Sequence, residues 1–310
     1  MQNLFIIDAF SGLQAGHDSS LALMKAALQK KQAVYISELK DLVWQENNLK
    51  SFTQTVELVG EKLVVNRENK VLNLSQKQKL VVWMRKDPPV DQAYIHACQL
   101  LRLAAVPVFN NPNTLLNCEE KLLALEFPDL IPQTSILQNI NEIKKLLQQK
   151  GKLIAKPIGG KAGEGILFLQ ADDKNLGSLL EMMTQRGERK IILQEYLPSA
   201  RIGDKRIFVL AGEPLGAVLR VPKPNDHRAN MAAGGSVAKT EITPKEKEIC
   251  ARLKPRLLEL GLYIVGLDII GEKLTEINIT SPTCLEEIAQ LDGSQPAAQI
   301  INWSESKVSF

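Results

Sequence analysis

Two apolar runs near the carboxyl end, Gly266–Leu267–Asp268–Ile269–Ile270 and Leu274–Thr275–Glu276–Ile277–Asn278, are separated by only Gly271–Glu272–Lys273. They read as the two strands of a buried hairpin. Three oxygen-bearing side chains, Asp268, Glu276 and Asn278, interrupt them. Packing has no use for such polarity inside apolar strands, whereas a hard cation such as Mg²⁺ takes this kind of oxygen donor. Parity makes the idea testable, because side chains alternate along a strand and Glu276 and Asn278 share a face. A two-residue turn at Gly271–Glu272 would set Asp268 opposite Thr275 and send Glu276 to the other side. A three-residue turn, Gly271 to Lys273, sets Asp268 opposite Glu276. The cation reading therefore predicts an odd-length turn. The competing reading is an ordinary hairpin with exposed acids, and the long apolar neighbours argue against it.

The 310 residues suffice for two or three domains with real cores. A net charge of only +3 gives no reason to expect nucleic acid or an anionic membrane as partner. No apolar run approaches a membrane span. The start, Met1–Gln2–Asn3–Leu4–Phe5–Ile6–Ile7–Asp8, lacks a basic segment and reads as a first strand, not a signal peptide. Cys98, Cys118, Cys250 and Cys284 are scattered, with no CxxC pair. That argues against zinc and against a disulfide framework, and for reduced thiols in the cytoplasm. Cys284 reads as a small buried residue. With only His17, His96 and His227 in the chain, a catalytic triad has little to draw on.

Strand and helix alternate through the first third, which argues for a parallel sheet. Leu4–Asp8, Ala33–Ser37, Leu80–Arg85 and Val106–Asn110 are the expected strands. Helices are expected from Asp18, as cap, through Leu28, and over Asp91–Ala105. Residues 43–78 show no usable periodicity. Beyond the turn cluster Asn111–Pro112–Asn113, a helix is expected over Cys118–Leu125. Strands follow at Thr134–Leu137, Lys152–Lys156, Ile166–Leu169 and Ile191–Glu195, with helices at Ile140–Gln149 and Leu176–Met183. Later come strands at Ile207–Leu210 and Leu215–Val221. A loop runs from Pro222 to Gly235, and a helix opens on the capping box Thr243–Pro244–Lys245–Glu246.

The loop Gly159–Gly160–Lys161–Ala162–Gly163–Glu164–Gly165 lies between two strands and leads into no helix, so it is not a Walker-type loop. Glycines there let backbone N–H groups close over phosphates as a flap. A mobile hairpin tip is the alternative. Lys156, ending the strand before it, is placed to act as a point charge on a phosphate. Arg206, Arg220 and Arg228 each could be a surface charge. Together they flank the route to the acidic hairpin, and guanidinium groups suit carboxylates and phosphoryl oxygens.

Five blocks carry a specific resemblance: Met84–Arg85–Lys86–Asp87–Pro88–Pro89, the loop Gly159–Ile166, Gly203–Asp204–Lys205–Arg206, Val265–Gly271, and Leu274 through Ser281–Pro282–Thr283. In this order they resemble the prokaryotic glutathione synthetases, a family of ATP-grasp ligases, over essentially the whole chain. The resemblance implies an α/β fold in three parts: an N-terminal parallel α/β domain (1–117), a central lid domain (118–198) and a C-terminal α+β domain (199–310). It implies ATP and Mg²⁺ as cofactors, with Mn²⁺ as a substitute. Lys121, Lys156, Gly159, Gly160, Gly163 and Gly165 would meet the phosphates. Gln194–Glu195–Tyr196–Leu197 would meet the adenine, and Asp204 would belong to the same nucleotide site. Asp268, Glu276 and Asn278 would hold the metal. Arg206, Arg220 and Arg228 would serve catalysis. Arg220, Arg228, Asn230, Asn278, Ser281 and Thr283 would contact the peptide substrate. Asp18–Ser19–Ser20 and Arg85 match positions near the substrate side, with no role assigned. Ser236 follows Ala232–Ala233–Gly234–Gly235 where the family often has a basic residue.

The implied reaction is ligation of γ-glutamylcysteine to glycine through an acyl phosphate, in a cytoplasmic homo-oligomer. Two other readings compete. One is a ligase of the same fold for another carboxylate and amine, such as glutamate on a protein. The other is an ATP-binding regulator that has lost catalysis.

Overall fold

The structure, a computed structural model, describes residues 1–160, 163–223 and 235–308. Its first third is built on β1 (Gln2–Ile6), β2 (Ala33–Ser37), β3 (Leu42–Gln45), β4 (Asn48–Val59), β5 (Lys62–Asn73), β6 (Leu80–Met84) and β7 (Val108–Phe109). β1 pairs in parallel with β2 and β6, and β6 in parallel with β7. β6 is wholly buried and apolar, and β1 is buried from Asn3 onward with Leu4, Phe5 and Ile6 apolar, as strands covered on both faces tend to be. The aperiodic segment turns out to be an antiparallel extension. The twelve-residue β4 pairs β5 along one edge, and β3 and then β2 along the other. The sheet is therefore mixed, not purely parallel. Its half-exposed extension alternates polar and apolar residues too irregularly to read as strands.

Helix α1 (Ser19–Gln29) is capped by Asp18, whose carboxylate accepts from Ser20 N at 2.7 Å. Helix α2 (Gln92–Leu101) is capped likewise by Asp91. It stops four residues earlier than expected, because Ala105 N turns to Leu74 O ahead of Pro107. The expected turn cluster is instead a helix start: α3 (Pro112–Asn117) opens on Pro112, with the Asn111 side chain accepting from Asn113 N as its cap. The next helix, α4 (Glu120–Leu123), starts two residues later than expected, because the Glu119 carboxylate caps it by accepting from Lys121 N and Leu122 N.

Strands β8 (Thr134–Leu137), β9 (Lys152–Pro157), β10 (Leu167–Gln170) and β11 (Ile191–Glu195) form an antiparallel sheet in the order β10-β9-β11-β8. Leu153, Ala155, Ile191 and Leu193 share a core with Ile143 and Leu147 of α5 (Ile140–Lys150) and Leu180 of α6 (Leu176–Met183). Period-two alternation leaves Ile154, Lys156, Ile192 and Gln194 on the opposite face.

The last sheet runs β14-β13-β12-β15-β16, from β12 (Asp204–Leu210), β13 (Glu213–Val221), β14 (Ser236–Lys239), β15 (Ile264–Ile270) and β16 (Lys273–Asn278). Ile207, Val265, Leu267, Ile269, Leu274 and Ile277 pack with Ile249, Leu253 and Leu257 of α7 (Pro244–Glu259), whose capping box forms as expected. Helices α8 (Leu285–Asp292) and α9 (Pro296–Glu305) close the chain against α1. Among the described residues, no helix is long and apolar enough to cross a membrane.

Two buried polar residues tie the first third to the last sheet. Asn110 donates to Ile264 O and Ile279 O, both at 2.8 Å, and accepts from Tyr263 N and Ile264 N. Arg85 donates to Ser20 Oγ and to Pro282 O at 2.8 Å.

Candidate active site

The hairpin of β15 and β16 sets the geometry, and it does so differently from the expectation. Ile270 pairs with Lys273, so the turn is the two-residue Gly271–Glu272 and not three residues. Both turn residues have positive φ (53° and 67°), as a turn matched to the strand twist requires. Yet Asp268 does face Glu276, because the register shifts by one between Asp268 and Ile269 and leaves Thr275 as the extra residue of a β-bulge. The Thr275 hydroxyl donates to Asp268 O at 3.1 Å. The odd residue is thus in the strand, not in the turn.

With that register, one face of the sheet carries a row of charge. Arg206 lies opposite Asp268, which lies opposite Glu276; Asp204 lies opposite Arg220, and Gly266 opposite Asn278. Arg206 grips Asp268 with two parallel bonds, Nε to Oδ1 at 2.5 Å and Nη2 to Oδ2 at 3.1 Å. Arg220 Nη2 reaches both Asp204 Oδ2 at 2.5 Å and Asp268 Oδ2 at 2.8 Å. Gly266 makes room here: a Cβ would stand 3.1 Å from Arg206 Cδ and 3.1 Å from Pro282 Cβ, so a neighbour would have to give by a few tenths of an ångström.

Facing this row is the helix-free face of the central sheet. Lys156 Nζ donates to Gln194 Oε1 at 2.8 Å. Lys121, from α4, bridges the two walls: its Nζ lies 3.1 Å from Glu276 Oε1 and 3.2 Å from Gly160 O. Glu119 accepts from Gly159 N at 3.0 Å, so both ends of Glu119–Lys121 hold the start of the glycine loop. Gly159, Gly160, Gly163 and Gly165 all have positive φ between 70° and 84°, which explains their residue type. Lys161 and Ala162 lie outside the described residues, as do Arg228 and Asn230.

Between the walls is a cavity of about 800 Å³. Its lining includes Lys121, Lys156, Gly160, Gly163, Gln194, Glu195, Tyr196, Leu197, Asp204, Arg206, Arg220, Asp268, Glu276, Asn278, Ser281 and Thr283. Gly159 and Gly165 flank it. Residues predicted from stretches more than a hundred positions apart therefore meet around one space.

Burial and charge compete in this space. Burial would push the Asp268 carboxyl up, but Arg206 and Arg220 outweigh it and hold Asp268 well below the usual carboxylate range. Asp204 goes the other way: burial, with the Asp268 charge nearby, raises it to about 6 despite Arg220 and Arg206. Burial draws Lys156 down from its ordinary value. For Lys121 the charges of Glu276 and Glu119 overcome burial and raise it.

The donor set suits a divalent cation. Asp268, Glu276 and Asn278 carry oxygen donors, the ligand type of Mg²⁺ and Ca²⁺, with both Asp268 oxygens held here by Arg206 and Arg220. Asn278 Nδ2 is committed to Gly266 O at 3.1 Å, which turns its Oδ1 away from the strand. Glu276 Oε1 holds Lys121, which leaves Oε2 free of the described cations. Asp204 Oδ1 and Arg220 Nε are buried with no hydrogen-bond partner among the described residues. Such atoms are costly unless a bound group satisfies them.

Comparison with known proteins settles the family. A family model for the N-terminal domain of prokaryotic glutathione synthetase matches residues 1–115, and one for its ATP-grasp domain matches residues 120–293. The chain belongs to the prokaryotic glutathione synthetase family. Among its relatives, the glutathione synthetase of Thermosynechococcus vestitus is 43% identical, across 98% of this chain and 99% of that one. That of Agrobacterium fabrum is 37% identical across 97% and 95%. In fold the chain is similar to the D-cycloserine synthetase DcsG (TM-score 0.68, 11% identity, covering 99% and 100%). It is likewise similar to the macrocyclase MdnC of Microcystis aeruginosa (TM-score 0.65, 16% identity, covering 99% and 100%). The fold is the mixed α/β architecture of the ATP-grasp ligases.

Three residues that sequence reasoning passed over shape this site. Glu120 accepts from Ile279 N, Thr280 N and Thr280 Oγ1 at 2.7–3.0 Å, fixing the loop that follows β16. Burial and the Glu276 charge raise its carboxyl. Glu119 anchors the glycine loop. Thr275 supplies the bulge. The acids directly before Lys121 were the visible signal for the first two.

Proposed function

We propose that the chain joins γ-glutamylcysteine to glycine at the expense of ATP, releasing glutathione, ADP and phosphate. The observation that carries this reading is the convergence, in one cavity, of a lysine-bearing wall with a glycine loop and a wall of carboxylates and arginines. A carboxylate is a poor acylating agent because its oxygen is a poor leaving group. Attack of the cysteinyl carboxylate oxygen on the γ-phosphorus of ATP breaks the bond to ADP and makes an acyl phosphate. The glycine amine then attacks the acyl carbon, phosphate leaves, and the nitrogen loses its proton.

In this reading Lys121 and Lys156 contact the phosphates as point charges. The loop from Gly159 to Gly165 covers them and keeps water from the acyl phosphate. Gln194 to Leu197 and Asp204 complete the nucleotide site. Arg206, Arg220 and Arg228 absorb charge that develops on the transferring group. Asn230, Asn278, Ser281 and Thr283 contact the peptide. A divalent cation held by Asp268, Glu276 and Asn278, Mg²⁺ or in its place Mn²⁺, would neutralise the transferring phosphoryl group. We also assign the three-part division at residues 118 and 199, a cytoplasmic location and a homo-oligomeric state. The oligomer is tested by light scattering on the purified chain.

A coupled assay for ADP tests the reaction, with γ-glutamylcysteine, glycine and Mg²⁺ each omitted in turn. ADP should form only when all three are present. ADP formation unaffected by leaving out the dipeptide or glycine would redirect the reading to another carboxylate and amine. Nucleotide binding without any ADP would leave a silent regulator.

A further inference from the structure

The mechanism above leaves one buried acid of the cavity unused. Glu287, in the first turn of α8, lines the cavity with His17. Its side chain is only 5% exposed. One oxygen, Oε1, accepts from His17 Nδ1 at 2.9 Å. The other, Oε2, is buried and has no hydrogen-bond partner among the described residues. A buried carboxylate oxygen without a donor is costly, so the site calls for a group that brings both a proton and positive charge.

Resting on the reaction proposed above, we propose that Glu287 Oε2 receives the α-ammonium at the γ-glutamyl end of the dipeptide, and so sets the specificity for that end. The three substrates differ in what they offer. ATP carries no cation. The nitrogen of glycine has to reach the acyl carbon as a neutral amine. The dipeptide holds an ammonium at the end remote from its reacting carboxylate. The position of Glu287 matches that remote end. The loop from Ser281 to Cys284 starts near Arg206: Pro282 Cβ and Arg206 Cδ would each stand 3.1 Å from a Cβ on Gly266. Glu287 follows one helical turn later. Cys284, Arg206, Arg220 and Glu287 all line this cavity, and the Cys284 thiol is within electrostatic reach of both arginines and of the acid.

The N-terminal third holds the acid in place. Leu285 N donates to Ser19 Oγ at 3.1 Å, Arg85 Nη2 donates to Pro282 O, and His17 takes Oε1. This gives the Asp18–Ser19–Ser20 segment and Arg85 a purpose: they position the loop and helix that present Glu287.

The test compares γ-glutamylcysteine with its desamino analogue, glutaryl-cysteine, in the wild type and in E287Q and E287D, by ADP release with glycine. The wild type should prefer the ammonium-bearing dipeptide by roughly 10- to 100-fold in kcat/KM, the range for a hydrogen bond to a charged group. E287Q should lose most of that preference through KM for the dipeptide, with KM for glycine and ATP little changed. E287D should keep part of it. A purely structural role would weaken both substrates equally. An unchanged preference in E287Q, or a shift confined to KM for glycine, overturns the proposal. If E287Q does not fold, a wild type indifferent to the missing ammonium overturns it alone. No ADP at all from the wild type with dipeptide and glycine would overturn the reaction itself, and this assignment with it.

Discussion

On the C-terminal wall of the cavity, Asp268 sits between Arg206 and Arg220, both within hydrogen-bond reach. On the central wall, the hydrogen-bond partner of Lys156 among the described residues is the neutral amide of Gln194. Both walls withhold charge from water, but they settle the cost in opposite ways. On the first, burial is outweighed by opposite charge: Asp268 is held low and Arg220 is held high. On the second, burial prevails and Lys156 is drawn down. On one wall Arg206 and Arg220 already have their carboxylates before any ligand arrives. The other is complete only when an anion comes. A site that must grip phosphate and release it benefits from this split, since a lysine already matched to a carboxylate would have to be freed first.

The largest test of the contrast removes the centre of the C-terminal wall. Asp268→Asn leaves Arg206 and Arg220 facing each other with one fewer anion. Breaking a buried ion pair in this way costs roughly 3–5 kcal/mol. Urea unfolding should register that loss, and ADP formation should fall by roughly 100-fold or more, as for loss of a preorganised electrostatic partner. A variant with wild-type stability would mean that the wall is not self-supporting.

Thr275 gives the next test, and it bears on what the sequence could reveal. The alternation of Asp268, Glu276 and Asn278 against apolar neighbours was readable, and so was their convergence. The device that achieves it was not, because an extra residue in a turn and an extra residue in a strand produce the same parity. Nothing in Leu274–Thr275–Glu276 distinguishes them; the bulge is fixed by the Thr275 hydroxyl on Asp268 O and by a turn with two positive-φ residues. Inserting one alanine between Thr275 and Glu276 should turn Glu276 and Asn278 toward α7 and cut ADP formation by roughly 100-fold or more. Deleting Thr275 instead should close the bulge, leave Asp268 opposite Glu276 in a regular two-residue hairpin, and keep the activity. The fold was otherwise legible wherever one face is buried, as in β9, β11 and α7. Residues 43–78 were not, because β4 and β5 are half-exposed and carry large apolar residues such as Phe52 and Val71 on their open side. The convergence of Glu119 and Glu120 on distant backbone was equally hidden, since hydrogen bonds across forty or more positions leave no local pattern.

On the central wall the expectation reverses. Lys156→Met removes a charge that burial already disfavours. A lysine whose folded pKa is lowered costs stability below its ordinary value, where the unfolded chain holds the proton. Methionine lacks that cost, so the urea midpoint should stay the same or rise. ADP formation should still fall, by roughly 10- to 100-fold, from loss of a charge-assisted contact to phosphate. Stability lost together with activity would place Lys156 in the same class as Asp268 and erase the contrast.

The smallest effect comes from Asp204, an acid of the C-terminal wall that its neighbours do not fully satisfy. Its Oδ2 holds Arg220 and its Oδ1 has no described partner. Burial and the Asp268 charge raise it to about 6. Between its ordinary value near 4 and 6, the folded chain keeps a proton that the unfolded chain has lost, so this group takes stability away as pH rises through that window. Two units correspond to roughly 3 kcal/mol as an upper bound. Asp268 behaves oppositely, and its contribution is lost only as pH falls below the ordinary carboxylate range. In nucleotide-free protein with chelator present, Asp204→Asn should therefore flatten the decline in stability between pH 4 and 6 and leave the acid limb below pH 4 in place. If the slope between pH 4 and 6 is the same in both proteins, Arg220 satisfies Asp204 as fully as it does Asp268. The free oxygen would then not be the cavity's unmet demand for a cation.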